Sequence, residues 1–345
     1  MPGWRPGPLM AKDSRSRRRA LWCMALGTAV ATAFLVLPAI TGVPARLVEA
    51  CGRWIATAGV LEVLSVVGFV VFFKLVFAAP VCWRRTIPAA LSALAASTVL
   101  PAGGLIGPTM GAWTARDGKP SLSQLARSTV VFVLLTNAPG MIVLGTLGTL
   151  LWLGLPGGPH QTGLTLLPAV LAFGLLLATW FSAHSSGHRT PRSGLHSRRL
   201  IAAARTLGQA VSEARGLVIA GDWKLVGALA YYVFDNAVLW AAFHAYGHTP
   251  PLAVLVMGYL VGSLAGALPL PAGLGAVDGG LIGALVLYGA PPAPAAAAVL
   301  LYRGISLSVP LVLGGVAWAV RPARPTVRSE ESVARLGSEP YYAQS

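Results

Sequence analysis

The sequence predicts an all-α membrane protein, a polytopic helix bundle of about six full spans with two re-entrant broken-helix hairpins in inverted orientation. Three observations predict it. Of 345 residues, 55% are hydrophobic and only 11% charged, and the mean hydropathy is +0.68; a water-facing surface must be largely polar, so most of this chain is solvated by lipid. Apolar runs of roughly 20 residues, enough for a helix to cross a hydrocarbon core of about 30 Å, recur along the chain. Two further apolar stretches are interrupted midway by clusters of proline and glycine, which break helical hydrogen bonding.

Residues 1–19 form a basic N-terminal segment, with Arg15, Arg17, Arg18 and Arg19 just ahead of residues 20–45, which carry no Asp, Glu, Lys or Arg. That run exceeds the roughly 7 to 15 residues of a signal-peptide core, so it reads as a retained first span. A second span covers about 60–82 and ends at Trp83-Arg84-Arg85. The first broken stretch follows at 86–111, with Pro101, Gly103, Gly104, Gly107 and Pro108. Spans at about 128–153 and 164–183 are divided by the glycine- and proline-rich turn at 154–159. After an amphipathic basic segment at 184–222 come a span at about 224–246, the second broken stretch at 252–292, and a last span at about 295–320. The single transmembrane domain is thus 20–320, and 321–345 is a polar tail of disordered composition.

Charge sets the orientation. The net charge is +15, but the basic residues are scattered between apolar runs, which argues against nucleic acid as a partner. The positive-inside rule puts both termini in the cytoplasm of a bacterial inner membrane. Of the 26 Lys and Arg residues only Arg46 and Arg53 then fall outside, and only Lys74 and Arg303 lie at membrane depth. Trp22, Trp83, Trp152, Trp180, Trp223 and Trp318 fall near span ends, where indole favours the headgroup level. Arg84, Arg85, Arg116 and Lys119 make both ends of the first broken stretch cytoplasmic, whereas the second has no Lys or Arg on either flank and dips from outside. The plan is two span, re-entrant, span units of opposite hand, which in transporters places the substrate near the midplane. Pro101-Ala102-Gly103 recurs as Pro271-Ala272-Gly273, and Gly103 to Gly107 matches Gly279 to Gly283. Glycines recur every four residues at Gly103, Gly107, Gly111, at Gly258, Gly262, Gly266, and at Gly275, Gly279, Gly283, spacing that suits close helix packing in a hairpin or between ordinary helices.

No cofactor or metal is indicated. Cys23, Cys51 and Cys82 lack CxxC spacing, His244 and His248 lack a ligand pattern, and no GxxxxGK[ST] loop is present. The ionisable side chains at membrane depth are Glu62, Lys74, Asp235, Asp278 and Arg303; each costs an estimated 2.5 to 3.5 kcal/mol to insert, so they mark a pathway or a pair. Arg303 either grips a lipid phosphate through two parallel hydrogen bonds or pairs with Asp278 or Asp235 to hold the bundle. Asp278 falls in the first turn of a half-helix starting near Gly275. There it caps the positive end, or it holds a cationic headgroup, takes up a proton or releases Arg303; the same helix end offers free N–H groups to a phosphate. Asp235 faces the interior from mid-span. Glu62 reads as interfacial near an outer end, and Lys74 as snorkelling to the inner headgroups. Leu200, Ala204, Leu207, Val211, Ala214 and Val218 share one helical stripe, with Arg198, Arg199, Arg205 and Arg215 elsewhere, so this helix is expected on the inner membrane surface or as a basic loop.

From about Gly258 to Trp318 the chain resembles the transmembrane domain of lysylphosphatidylglycerol synthases, shared with stand-alone flippase-like membrane proteins. The resemblance rests on Pro269-Leu270-Pro271-Ala272-Gly273-Leu274-Gly275-Ala276-Val277-Asp278, then Gly289, Pro291 and Pro292, then Leu300-Leu301-Tyr302-Arg303, Pro310 and Gly314. It implies a lipid-translocating or lipid-binding membrane domain. Together with the charges at membrane depth and the half-helix end, the expected substrate contacts are Arg303, Asp278, Gly273, Gly275, Asp235 and Tyr302. The first half departs from the family, because Ala102 to Ala115 contains neither the acidic residue nor the arginine found near its first break. The synthases' soluble aminoacyl-transferase domain has no counterpart here, so a non-enzymatic chain is expected. Membrane lipids are the expected partners, of anionic phospholipid or polyprenyl-linked type. The alternatives are a scaffold for an envelope lipid-modifying enzyme and a secondary transporter of a small polar solute.

Overall fold

A computed structural model describes residues 51–100, 103–115, 121–154, 159, 161–185, 195–264 and 276–319. Among these every regular element is helical. In chain order they are α1 (Gly52–Phe77), α2 (Trp83–Val99), α3 (Gly103–Ala115), α4 (Leu122–Trp152), α5 (Thr162–Ser185), α6 (Leu195–Ala220), a 3-10 turn at Trp223–Leu225 running into α7 (Val226–Ala245), α8 (Leu252–Ser263), α9 (Ala276–Leu287) and α10 (Pro292–Ala319). Five are long and apolar enough to cross a membrane, within Gly52–Phe77, Leu122–Trp152, Thr162–Phe181, Trp223–Ala245 and Pro292–Ala317. The expected span at 20–45, the tail from 321 and the second break with Gly273 and Gly275 lie outside the described residues.

The chain's punctuation explains the boundaries. Ser121 caps α4, its Oγ accepting the N–H of Gln124 at 3.2 Å. At the end of α1, Pro80 prevents continuation, and the Lys74 ammonium donates to the carbonyls of Ala78 (2.8 Å), Ala79 (3.1 Å) and Val81. This corrects the expected snorkelling: Lys74 is 7% exposed, because the carbonyls left over at the helix end and after it are nearer partners than any headgroup. The α1 boundary is also corrected. The helix starts at Gly52, not near 60, since Arg53 stays exposed on its first turn and does not end it. Trp83, Trp152 and Trp223 stand at helix ends as expected, each exposed.

Packing follows from three helix pairs that approach backbone to backbone. α1 and α7 run antiparallel, from Cys51 N–H on the Ala245 carbonyl (2.9 Å) at one end, through Trp54 edge-on to Trp240, to Gly68 against Gly227. A Cβ added at Gly68 would lie 2.7 Å from the Tyr231 nitrogen, and one at Gly227 would lie 2.7 Å from the Gly68 oxygen. α2 and α3 form an antiparallel hairpin, with Gly107 against Ala93 and Ser97 and Gly111 against Ala89 and Ala93. α8 and α9 form another, with Gly258 against Leu285 and Gly262 against Leu281. Of the three glycine repeats, that on α9 is not used this way, because Gly279 and Gly283 face open space.

The hairpins are exchanged between halves. Gly314 of α10 receives Leu91 and Ala95 of α2, and Gly140 of α4 receives Leu260 of α8. Pairing α1 with α7, α2 with α8, α3 with α9 and α4 with α10, each helix contact within and between α1–α4 and α7–α10 has its counterpart. α5 and α6 stand outside this pattern and pack on α4. Arg127 of α4 meets Glu213 of α6 at 2.9 Å, and Arg215 lies over the Trp180 ring at 4.5 Å. Val211 and Ala214 of the predicted stripe are buried while Leu207 and Val218 stay exposed, so α6 docks on protein through part of that face. Asp222 caps the 3-10 turn, and the Lys224 N–H and ammonium on its carboxylate hold it below the usual carboxylate range.

The contact between α1 and α7 sets a first expectation. Gly227→Ala places a methyl against the backbone atoms of Gly68 and Phe72, forcing the helices apart at a cost of roughly 1–3 kcal/mol. Gly283→Ala has no such neighbour. Thermal unfolding of the detergent-purified protein should show a lower midpoint for the first and no loss for the second.

Candidate functional site

All four helices of the second half send a polar side chain to one place inside the bundle. Asp235 lies near the middle of α7. Its carboxylate accepts the phenol of Tyr259 from α8 on Oδ2 and that of Tyr302 from α10 at 3.1 and 3.0 Å on its two oxygens. The two rings meet edge to face, 6.4 Å apart at 86°, which fixes both hydroxyls on one acceptor. A hydrogen bond to an ionised acceptor is about twice as strong as a neutral one, more so away from water, so the two phenols hold this carboxylate in place.

Arg303 follows Tyr302 on α10. Consecutive residues point about 100° apart on a helix, so Tyr302 faces α7 while Arg303 faces α9. There its Nε lies 3.2 Å from Asp278 Oδ1, off the donor axis, an ion pair rather than an aligned hydrogen bond. Both side chains are 18% exposed, which leaves the pair open on one edge. The Arg303 charge also acts on Asp235. Asp278 is in the first turn of α9, as expected from the sequence, and so serves both the helix end and the guanidinium.

Glu62 is the correction. Because α1 begins at Gly52, Glu62 is about 15 Å into the helix, near its middle. It is 4% exposed, not interfacial. The antiparallel register of α1 and α7 sets it opposite Asp235, close enough for the Asp235 charge to act on it. Glu62 Oε2 has no hydrogen-bond partner among the described residues.

Of the six residues predicted for the site, the structure brings together Asp235, Asp278, Tyr302 and Arg303. Gly273 and Gly275 fall outside the described residues. Tyr259 was missed, although a lone phenol in a 12-residue apolar helix is a signal, since a buried Tyr hydroxyl usually finds a partner. His244 makes only a local contact, Nδ1 to the Trp240 carbonyl at 3.0 Å. The assembled chemistry is one guanidinium, three carboxyls and two phenols at membrane depth. It suits a charged headgroup or a proton.

A family model for the lysylphosphatidylglycerol synthase transmembrane region matches residues 24–314, taking in every helix named above up to the last residues of α10. No curated protein matches the chain significantly.

The tyrosine cradle is open to test. Tyr302→Phe removes one donor from a carboxylate that has little water to replace it, for an expected loss of about 1–3 kcal/mol. In a double-mutant cycle of thermal stability the loss should shrink markedly in an Asp235→Asn background, whereas Tyr288→Phe, whose hydroxyl donates to the Leu164 carbonyl, should lose the same in either background.

Proposed function

Because this chain belongs to the family of the lysylphosphatidylglycerol synthase transmembrane region, we propose that it carries a lipid across the bacterial cytoplasmic membrane without modifying it. The cargo is an anionic phospholipid or a polyprenyl-linked lipid. Its headgroup enters beside α9 and α10, and its acyl or polyprenyl chains remain in the bilayer. The observation that carries this reading is the ion pair of Arg303 and Asp278, each 18% exposed and so open on one edge, beside the hydrogen-bonded Asp235. A phosphate arriving at that edge takes over the guanidinium through two parallel hydrogen bonds, and Asp278 is released. Asp235, held by two phenols, keeps its distance from the anion and maintains the shape of the site.

The helix plan supports alternating access. α2 has 17 residues, α3 has 13, and α8 and α9 have 12 each, about 25, 20 and 18 Å of helix against a core of about 30 Å. None of these four crosses unaided, and each pair returns on itself, which suits hairpins that dip and come back. The basic Arg84 and Arg85 at the start of α2 put the first hairpin on the cytoplasmic side. The antiparallel α1 and α7 suit two units of inverted orientation, and rocking of one unit on the other would open the site to each face in turn.

Reconstitution tests the reading. Purified protein in liposomes carrying leaflet-labelled phosphatidylglycerol or a labelled polyprenyl phosphate should speed movement between leaflets. Arg303→Ala should slow it by about ten- to a hundredfold, the equivalent of a charge-assisted contact of about 1.5–3 kcal/mol, and Arg303→Lys, which keeps a cation beside Asp278 and Asp235 but not the two parallel hydrogen bonds, should slow it too without the loss of stability that an uncompensated carboxylate brings. No movement of any such lipid points to a scaffold instead, and movement insensitive to Arg303→Ala removes the site from the pathway.

A further inference from the structure

Lipid binding leaves Glu62 without a task. At 4% exposure it is sealed from any headgroup, and its Oε2 has no hydrogen-bond partner among the described residues. A carboxyl kept only for packing would be satisfied or replaced by an apolar side chain, since an orphaned buried oxygen is a standing cost. A metal ion is a poor fit, because no three His, Cys, Asp or Glu side chains among the described residues gather closely enough to hold one. A proton reaches where these ligands do not.

The charges around Glu62 point the same way. From α7 the Asp235 charge acts on Glu62, and the Glu62 charge in turn reaches Tyr231 of α7 and Tyr302 of α10. α10 also carries Arg303, which acts on Asp235 and is paired with Asp278 of α9. Among the described residues the remaining neighbours of α1 bring no compensating cation. Arg84 and Arg85 of α2 and Arg127 of α4 lie at the starts of their helices, and Lys224 of the 3-10 turn is held by Asp222 at 2.9 Å. Lys74 of α1 itself is about 18 Å further along the helix, engaged with carbonyls. With Glu62, Asp235 and Asp278 all ionised, and Arg303 the cation beside them among the described residues, the cluster would bury two negative charges in excess. Binding one proton removes half of that excess.

We infer that Glu62 and Asp235 form a carboxyl pair that takes up and releases one proton in mid-membrane, and that this proton travels with the lipid. The inference rests on the transport reading above. With the proton on Glu62, Arg303 is left to Asp278 or to an arriving phosphate. When the Glu62 carboxyl dissociates to carboxylate and proton, the new negative charge beside Asp235 draws the guanidinium inward and weakens its hold on the phosphate. The proton leaves to water at the open edge of the cluster as the lipid leaves. Proton and anionic headgroup therefore bind together and depart together, and the cycle carries no net charge.

Two measurements on the full chain test this separately. In liposomes with labelled phosphatidylglycerol and the membrane voltage clamped, a difference of one pH unit across the bilayer should hold an unequal leaflet distribution of up to about tenfold. In Glu62→Gln the ratio should fall to near one. Independently of transport, infrared spectra of the protein in lipid nanodiscs should show a protonated carboxyl band that is lost in Glu62→Gln and kept, shifted, in Glu62→Asp. Lipid that moves at equal pH but ignores the gradient overturns the coupling. An infrared band unchanged by Glu62→Gln overturns the proton site. If no lipid moves under any condition, the transport reading falls and the coupling with it, while the infrared band alone decides the proton site.

Discussion

Everything in this structure is registered by the contact of two glycines. At Gly68 and Gly227 the backbones of α1 and α7 touch, with no room for a side chain on either. In lipid the hydrophobic effect does not press helices together, so such close approach supplies the dispersion and dipole contacts that hold them. Ser65 adds a hydrogen bond of 3.2 Å from its hydroxyl to the Tyr231 carbonyl in the same seam. The register these contacts set also brings Glu62 to face Asp235. Lose it by one helical turn, and the carboxyls no longer share a site.

Around that axis the two halves have the same plan and different chemistry. α3 carries no ionisable side chain, and α4 has only Arg127 at its start, tied to Glu213. Their counterparts α9 and α10 carry Asp278, Tyr302 and Arg303. The second half therefore builds the polar cluster, and the first contributes Glu62 from α1 and the α2–α3 hairpin that supports α10. The departure of Ala102 to Ala115 from the family pattern is thus matched by a one-sided site.

The sequence made the helices legible where length and hydropathy decide, so α5, α7 and α10 lie close to their expected limits, while α4 ends as expected and starts at Leu122 rather than near 128. The helix ends that flank the two breaks, at Val99 and Ser263, were legible too, because proline and glycine act locally. Glu62 was not. Its depth depends on where α1 begins, and Arg53 suggested an edge that the helix passes through with the side chain exposed. Lys74 was misjudged for a related reason, since the carbonyls it meets come from the turn at 78–81, whose path is not a property of α1. The pairing of Arg303 with Asp278 was one of two expected pairs, and only the packing of α9 on α10 selects it. The use of the glycine repeats on α3 and α8 but not on α9 is likewise decided between helices, where periodicity gives the stripe and not its partner.

Pro139 and Pro310 sit inside α4 and α10, the two helices that each receive the opposite half's hairpin. Neither proline has an N–H to give, so the carbonyls of Leu135 and Ser306 lose their regular helical donors, and both rods are most easily flexed at these points. A hinge in α4 moves the seat of α8, and one in α10 moves the seat of α2. Bending within either half is thereby delivered to the other, and the two cannot change shape one at a time.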